Sequence, residues 1–220
     1  MTPDRAAALQ QAVGIAPGTF SERLAAAGRD AQAVYGAVLP AFAATGRPPG
    51  PDTLAARTGL APDRVRVALG DLAAADLLAL HPDGKIAGAF PLSATPTRHR
   101  VQVQGRPVLH AMCAVDALGI PAMLGAAGTV TSTDPATGQP IEVQVAVDGS
   151  LDVTPPGAVV LLARTGDGPL ASACCSVIDF HADRASAEDV LRGQTRGAVL
   201  TVTEAHALGV LLFGALPADR

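Results

Sequence analysis

The hydrophobic pattern changes period partway along the chain, and that change limits the folds open to it. Val34, Val38, Leu39 and Phe42 keep helical spacing within residues 30–44. Gly46-Arg47-Pro48-Pro49-Gly50-Pro51 reads as a loop, and Asp52 or Thr53 is placed to cap a short helix that stops near Gly59. Ala61-Pro62-Asp63 opens a longer helix carrying Val65, Val67, Leu69 and Leu72 and ending near Asp76. Leu77–Leu80 and Lys85–Phe90 then flank His81-Pro82-Asp83-Gly84, the signature of a hairpin with an Asp-Gly turn. Three helices and a hairpin over roughly 30–90 form a winged-helix pattern. The first thirty residues are Ala-rich and helical, with a break at Ala16-Pro17-Gly18.

Past this region the character changes. Val101–Gln104 alternates like a strand, Arg106–Ala111 is extended, and Cys113–Leu124 is helical. Thr129–Thr133 and Ile141–Val145 make a second hairpin through Pro135-Ala136-Thr137-Gly138. Ala158–Ala163 is a continuous apolar run, expected as a central strand, and Ser172–Phe180 is a further extended candidate. Ser186-Ala187-Glu188-Asp189 has capping-box spacing and starts a short helix. Ala198–Val202 reads as a strand, followed by a helix over residues 203–216. The expected architecture is α+β: a winged-helix-like region over 1–92 and a mixed domain with antiparallel strands over 93–220.

Composition narrows the function. The chain has 220 residues, is 49% hydrophobic and only 16% charged, and carries a net charge of −4. This suits a packed core and argues against a nucleic-acid-coating or basic membrane-surface protein. The helix of the winged pattern that would read DNA sets Arg64 and Arg66 against Asp63, Asp71 and Asp76, so it lacks a net positive face. No apolar run approaches a membrane span, and the N-terminus lacks a signal-peptide layout, so a cytoplasmic location is expected. Lys85 is the only lysine and alanine is abundant, a GC-rich bacterial usage. Three cysteines are too few for a disulfide scaffold.

Those cysteines are the residues with chemistry to offer. Cys113 and Asp116 share one helical face, and a thiol near a helix N-terminus is favoured as thiolate. The bland reading is a small buried Cys and a solvated Asp. Cys174 and Cys175, taken as strand neighbours, would point to opposite faces, so only one could meet Cys113. Two thiols brought together suit Hg, Cu(I) or Zn, but no Cys-x-x-Cys or His-x-x-x-His supports zinc. His110, three residues before Cys113, could line the same pocket as part of a Cys–His dyad.

Residues 105–118, Gly-Arg-Pro-Val-Leu-His-Ala-Met-Cys-Ala-Val-Asp-Ala-Leu, resemble the organomercurial (alkylmercury) lyase family. So do Pro121-Ala122 with Leu124-Gly125, Ala136-Thr137-Gly138-Gln139-Pro140, Cys174-Cys175 followed by Phe180, and the tail from Ala198 to Gly209. The resemblance covers roughly residues 30–215 and includes an N-terminal winged helix. It implies carbon–mercury bond cleavage by protonolysis, giving a hydrocarbon and Hg(II). Cys113 and Cys174 would bind mercury, and Asp116 would relay the proton and neighbour the transient Hg product. Cys175 would be a bystander. No organic cofactor or permanent metal is implied. The partners would be a small organomercurial, and low-molecular-weight thiols or a mercuric reductase as the Hg acceptor, in bacterial mercury resistance.

Three positions depart from the family pattern. Thr133-Asp134 stands where a further cysteine is common, His110 where a tyrosine is common, and Asp179-Phe180 where an aromatic pair is expected. These departures motivate two other readings. One is a same-fold enzyme acting on another organometal or a biosynthetic metabolite. The other is a non-enzymatic winged-helix regulator or soft-metal binder.

Overall fold

The computed structural model describes residues 1–15, 18–194 and 196–214. The N-terminal helices are α1 (Pro3–Ala12), α2 (Phe20–Ala26), α3 (Arg29–Thr45), α4 (Pro51–Thr58) and α5 (Pro62–Ala74). The short strands β1 (Leu78–Leu80), β2 (Ile86–Ala89) and β3 (Leu92–Ser93) follow as one antiparallel sheet. Next come β4 (Arg100–Val103), β5 (Leu109–His110), α6 (Ala114–Met123), β6 (Gly128–Thr133), β7 (Pro140–Val145) and β8 (Leu151–Thr154). The chain then runs through β9 (Val159–Arg164), α7 (Leu170–Ala173), β10 (Asp179–His181), α8 (Arg184–Leu191), β11 (Arg196–Thr201) and α9 (Val202–Phe213). Two further sheets result, in the orders β5-β4-β6-β7-β8 and β10-β9-β11, with antiparallel pairing throughout.

This is the expected mixture of helices and antiparallel sheet. The apolar run 158–163 is β9, the central strand of its sheet and almost wholly buried. Three local expectations shift. Pro51 starts α4, so its cap is Gly50 rather than Asp52 or Thr53. Asp183 caps α8 by accepting from the Ser186 amide, which starts that helix two residues before Ser186. Residues 172–180 are not one extended segment. The short α7 and a tight turn occupy most of them, and only Asp179 and Phe180 enter β10. The break expected at Ala16-Pro17-Gly18 lies partly outside the described residues.

One cluster of buried apolar side chains runs from Ala6 to Leu208 and takes in both sides of residue 92. At its centre lies α6, buried at nearly every position and packed on α9, β4, β6 and β10. A helix apolar all round can only be an interior helix. Its crossing with α9 depends on facing glycines. A Cβ on Gly209 would lie 2.7 Å from the Val115 carbonyl oxygen and 3.0 Å from the Gly119 nitrogen. A Cβ on Gly119 would lie 2.6 Å from the Phe213 ring. Gly209→Ala should therefore force the helices apart and cost about 1–3 kcal/mol in urea unfolding. Gly70→Ala, on the open face of α5 with nothing within 4 Å, should be neutral or stabilising.

Candidate active site

Cys113 is the N-cap residue of α6, in extended conformation, and Asp116 sits in the first turn. The Ala114 amide donates to the Ile178 carbonyl at 3.0 Å, which ties this helix start to the turn after the second cysteine locus. That turn is compact. Both the Cys174 and Cys175 amides donate to the Leu170 carbonyl, and the Val177 and Ile178 amides donate back to the Cys174 carbonyl.

The consequence is a cavity lined by all three cysteines and Asp116, with apolar walls from Val13, Ile15, Phe20, Phe90, Leu162, Leu208 and Leu212. Ligand atoms of Cys113, Asp116 and Cys175 all lie within 4.8 Å of one another. The Cys175 thiol donates to Asp116 Oδ2 at 3.9 Å. Cys174 faces Arg164 instead, whose guanidinium donates to its sulfur at 3.7 Å. The expectation that Cys175 points away from the pocket is thus corrected. The two cysteines follow a short helix rather than occupy a strand, so their side chains do not alternate across a sheet.

Burial governs the ionisation of the site. Asp116 is raised to about 7, because burial penalises its charge more than contacts with Cys113 and Cys175 favour it. Burial also pushes the Cys113 thiol well up, aided by the Cys175 thiol and the nearby Asp116 charge. The expected lowering of Cys113 by the helix N-terminus is therefore outweighed. For Cys175 the contact with Cys113 works downward, but burial and Asp116 leave it raised. Cys174 is raised to about 11 by burial despite the opposing Arg164 charge. The resting site holds protonated thiols around a carboxyl poised near neutrality.

The three departures lie apart from the cavity lining. His110 Nδ1 meets the Thr97 amide at 3.1 Å, so the expectation that it lines the pocket is also corrected. Asp134 is buried and accepts from the Ala136, Thr137 and Ala182 amides and the Ser186 hydroxyl. Burial pushes its carboxyl upward, and these donors overcome that to hold it below its ordinary value. Asp134 therefore joins the β6–β7 turn to β10 and α8. Asp179 pairs with His99 Nε2 at 3.2 Å and Arg98 at 3.6 Å. These are structural contacts that the sequence motifs did not distinguish from pocket changes.

Sequence reasoning missed the N-terminal contribution to the site. Gln10, Val13, Ile15 and Phe20 reach the cavity from α1, its C-terminal connection and α2. Tyr35, the sole tyrosine, is buried and donates at 2.8 Å to the carbonyl of Phe90, a cavity-wall residue. Burial first and the Asp116 charge second raise its hydroxyl pKa. Only long-range packing reveals these residues, since no local motif contains them.

The alkylmercury lyase family pattern matches residues 92–214. An alkylmercury lyase of Streptomyces lividans is 35% identical over 181 residues, covering 79% of each chain. The chain belongs to the alkylmercury lyase family. A relative of the same description from Bacillus cereus is 32% identical over 162 residues, 73% of this chain and 72% of that one. The crystal structure of the mercury-bound form of MerB2 superposes with a TM-score of 0.73 at 25% identity, covering 88% of this chain and 95% of that one. In this family member the buried cysteine–aspartate cluster is the candidate centre.

The Asp116 shift has a measurable consequence for stability. In the unfolded chain this carboxyl loses its proton near 3.8, whereas the native state keeps it until about 7. Between those values the native state binds more protons, so this group's contribution to stability falls as pH rises. The full difference is on the order of 4 kcal/mol. Asp116→Asn should remove that part of the decline between pH 4 and 7. Urea unfolding of both forms across the range checks it, and parallel pH profiles would contradict it.

Proposed function

We propose that the protein cleaves the carbon–mercury bond of small organomercurials by protonolysis. The observation that carries this reading is a buried carboxyl, with a pKa of about 7, set among thiols in an apolar cavity. Mercury is soft and thiolate is its matching ligand. A carboxyl near neutrality can take a proton from one group and give it to another at little cost.

The steps balance as follows. Cys113 displaces the small thiol that carries R–Hg, and its proton goes to that departing thiol. The second cysteine gives its proton to the Asp116 carboxylate as its sulfur joins mercury. Two sulfur donors make the mercury-bound carbon electron-rich, and Asp116 returns the proton to that carbon. The hydrocarbon leaves, Asp116 is again a carboxylate, and Hg(II) stays on two thiolates. Low-molecular-weight thiols or a mercuric reductase then remove it. The scheme uses no organic cofactor and no resident metal.

The resemblance assigns the second thiol to Cys174, which lines the cavity beside Arg164. The contact between Cys175 and Asp116 favours a second reading, in which Cys175 is the proton donor. Single serine variants separate the two. The residue whose loss abolishes turnover is the second ligand, and the other variant keeps most of its activity.

We also propose that α3–α5 with β1–β3 form a winged-helix module within the 1–92 region, with 93–220 carrying the reacting groups. This module does not read nucleic acid. Arg64 is held by Asp30 in a bidentate pair at 2.7 and 2.8 Å, and Arg66 pairs with Asp63. Among the described residues no helix is long and apolar enough to cross a membrane. A cytoplasmic location, as reducing thiol chemistry requires, completes the reading.

The test is incubation with an organomercurial and excess small thiol, with hydrocarbon measured by gas chromatography. Wild type should release it. Cys113→Ser and Asp116→Asn should lose about 100- to 10,000-fold in kcat while remaining folded by circular dichroism. No hydrocarbon from wild type with any of several organomercurials would end the lyase reading.

A further inference from the structure

Two arginines stand directly opposite each other beside the cavity, and no acid answers them. β9 and β11 pair in a register that sets Arg164 against Arg196. Like charges at facing positions of an antiparallel pair repel and weaken it. Carboxylates are not scarce in this chain, whose net charge is −4. Even so, among the described residues neither arginine has an ion pair, and the Arg196 guanidinium has no hydrogen-bond partner. Asp76, whose charge is felt at Cys174, is taken up instead by the Leu170 amide at 3.0 Å.

Both side chains converge on the connection between α1 and α2. Val13 and Ile15 line the cavity, while Gly14 between them is exposed. A Cβ on Gly14 would lie 2.5 Å from Arg196 Nη1 and 3.9 Å from Arg164 Cδ, so one surface point is flanked by both. Leu162, a cavity wall, and Arg164 share a face of β9, which brings the guanidinium to the same place from within. Arg164 is held there by neutral groups. Its Nε donates to the Gly166 carbonyl at 2.6 Å and its Nη2 to the Gly168 carbonyl at 2.9 Å. Its Nη1 reaches the Gly14 carbonyl at 3.5 Å and the Cys174 sulfur at 3.7 Å. Carbonyls orient a guanidinium without cancelling its charge. The group therefore touches a buried thiol on one side and exposed backbone on the other, with its positive charge intact.

We propose that Arg164 and Arg196 bind the carboxylate of the small thiol that delivers the organomercurial. The inference rests on the lyase reading above and adds the class of carrier, an anionic thiol rather than a neutral or cationic one. In the exchange, the carrier's sulfur leaves mercury as a protein thiol joins it. A guanidinium in contact with the Cys174 sulfur can hold the carboxylate of a carrier whose own sulfur is docked at that cysteine. Guanidinium donors match the two oxygens of a carboxylate, and the bound anion relieves the repulsion between the facing arginines.

The experiment supplies methylmercury as its complex with mercaptoacetate, mercaptoethanol or cysteamine, each in excess of the same thiol, and reads kcat/KM from methane release. That parameter covers only the steps up to bond cleavage, so it reports delivery of the substrate and not removal of Hg(II). The deciding quantity is the mercaptoacetate-to-mercaptoethanol ratio compared between proteins, in which the intrinsic reactivity of the carriers cancels. We expect it to fall about three- to tenfold in Arg196→Gln and in Arg164→Gln, with the cysteamine complex shifting the opposite way, and to be largely kept in Arg196→Lys. Arg66→Gln, which removes a positive charge from α5, should leave the ratio unmoved. If Arg164→Gln does not fold, Arg196→Gln alone decides. A ratio in Arg196→Gln equal to that of wild type, or an equal fall in Arg66→Gln, overturns the carboxylate site and leaves the lyase reading standing. Failure of wild type to release methane from any of the three complexes removes both.

Discussion

Withdrawal of the Asp116 carboxyl from water is the constraint on which the rest of the structure depends. A carboxylate in apolar surroundings is unstable unless its environment is complete, and here that environment comes from distant parts of the chain. Its helix must be interior, and apart from Asp116 α6 carries only apolar residues and a glycine. An interior helix needs close partners, so α9 crosses it at facing glycines. The sulfur groups nearest the carboxyl are themselves poor sources of solvation. The pKa of the group is thus an outcome of the fold as a whole. The same burial that destabilises the ionised form is what lets the group accept and return a proton.

The site has two halves joined by backbone. The cap of α6 supplies Cys113 and Asp116, and the turn after α7 supplies Cys174 and Cys175. The bond from the Ala114 amide to the Ile178 carbonyl sets their separation. Because it is a main-chain contact, side-chain substitutions in the cavity can change its lining without changing the distance between the two cysteine loci. Asp134 and Asp179 reside in structural knots away from the reacting groups.

Much of this was legible in the sequence where a local period or cap decides the outcome. The hairpin around Asp83-Gly84, the helix at 114–123 and the central strand at 159–164 follow from spacing alone. Cys113 and Asp116 are legible as a pair because i and i+3 share a helical face. The relation of Cys174 to Cys175 was not, since it turns on whether Ser172–Cys175 is strand or helical turn. Short apolar segments do not settle that. Phe20 and Tyr35 were invisible for a different reason. Their contribution depends on tertiary contacts with residues from Phe90 to Phe213, and no local pattern records such a pairing.

The cavity walls span nearly the whole chain, from Gln10 on α1 to Leu212 on α9. During synthesis the first cysteine emerges about a hundred residues before the last wall does. A growing chain therefore exposes its thiols to the cell's own electrophiles and metals with no enclosure around them. Enclosure arrives only when α9 docks against α6, so the apolar surroundings that raise the Asp116 carboxyl are a property the nascent chain does not possess.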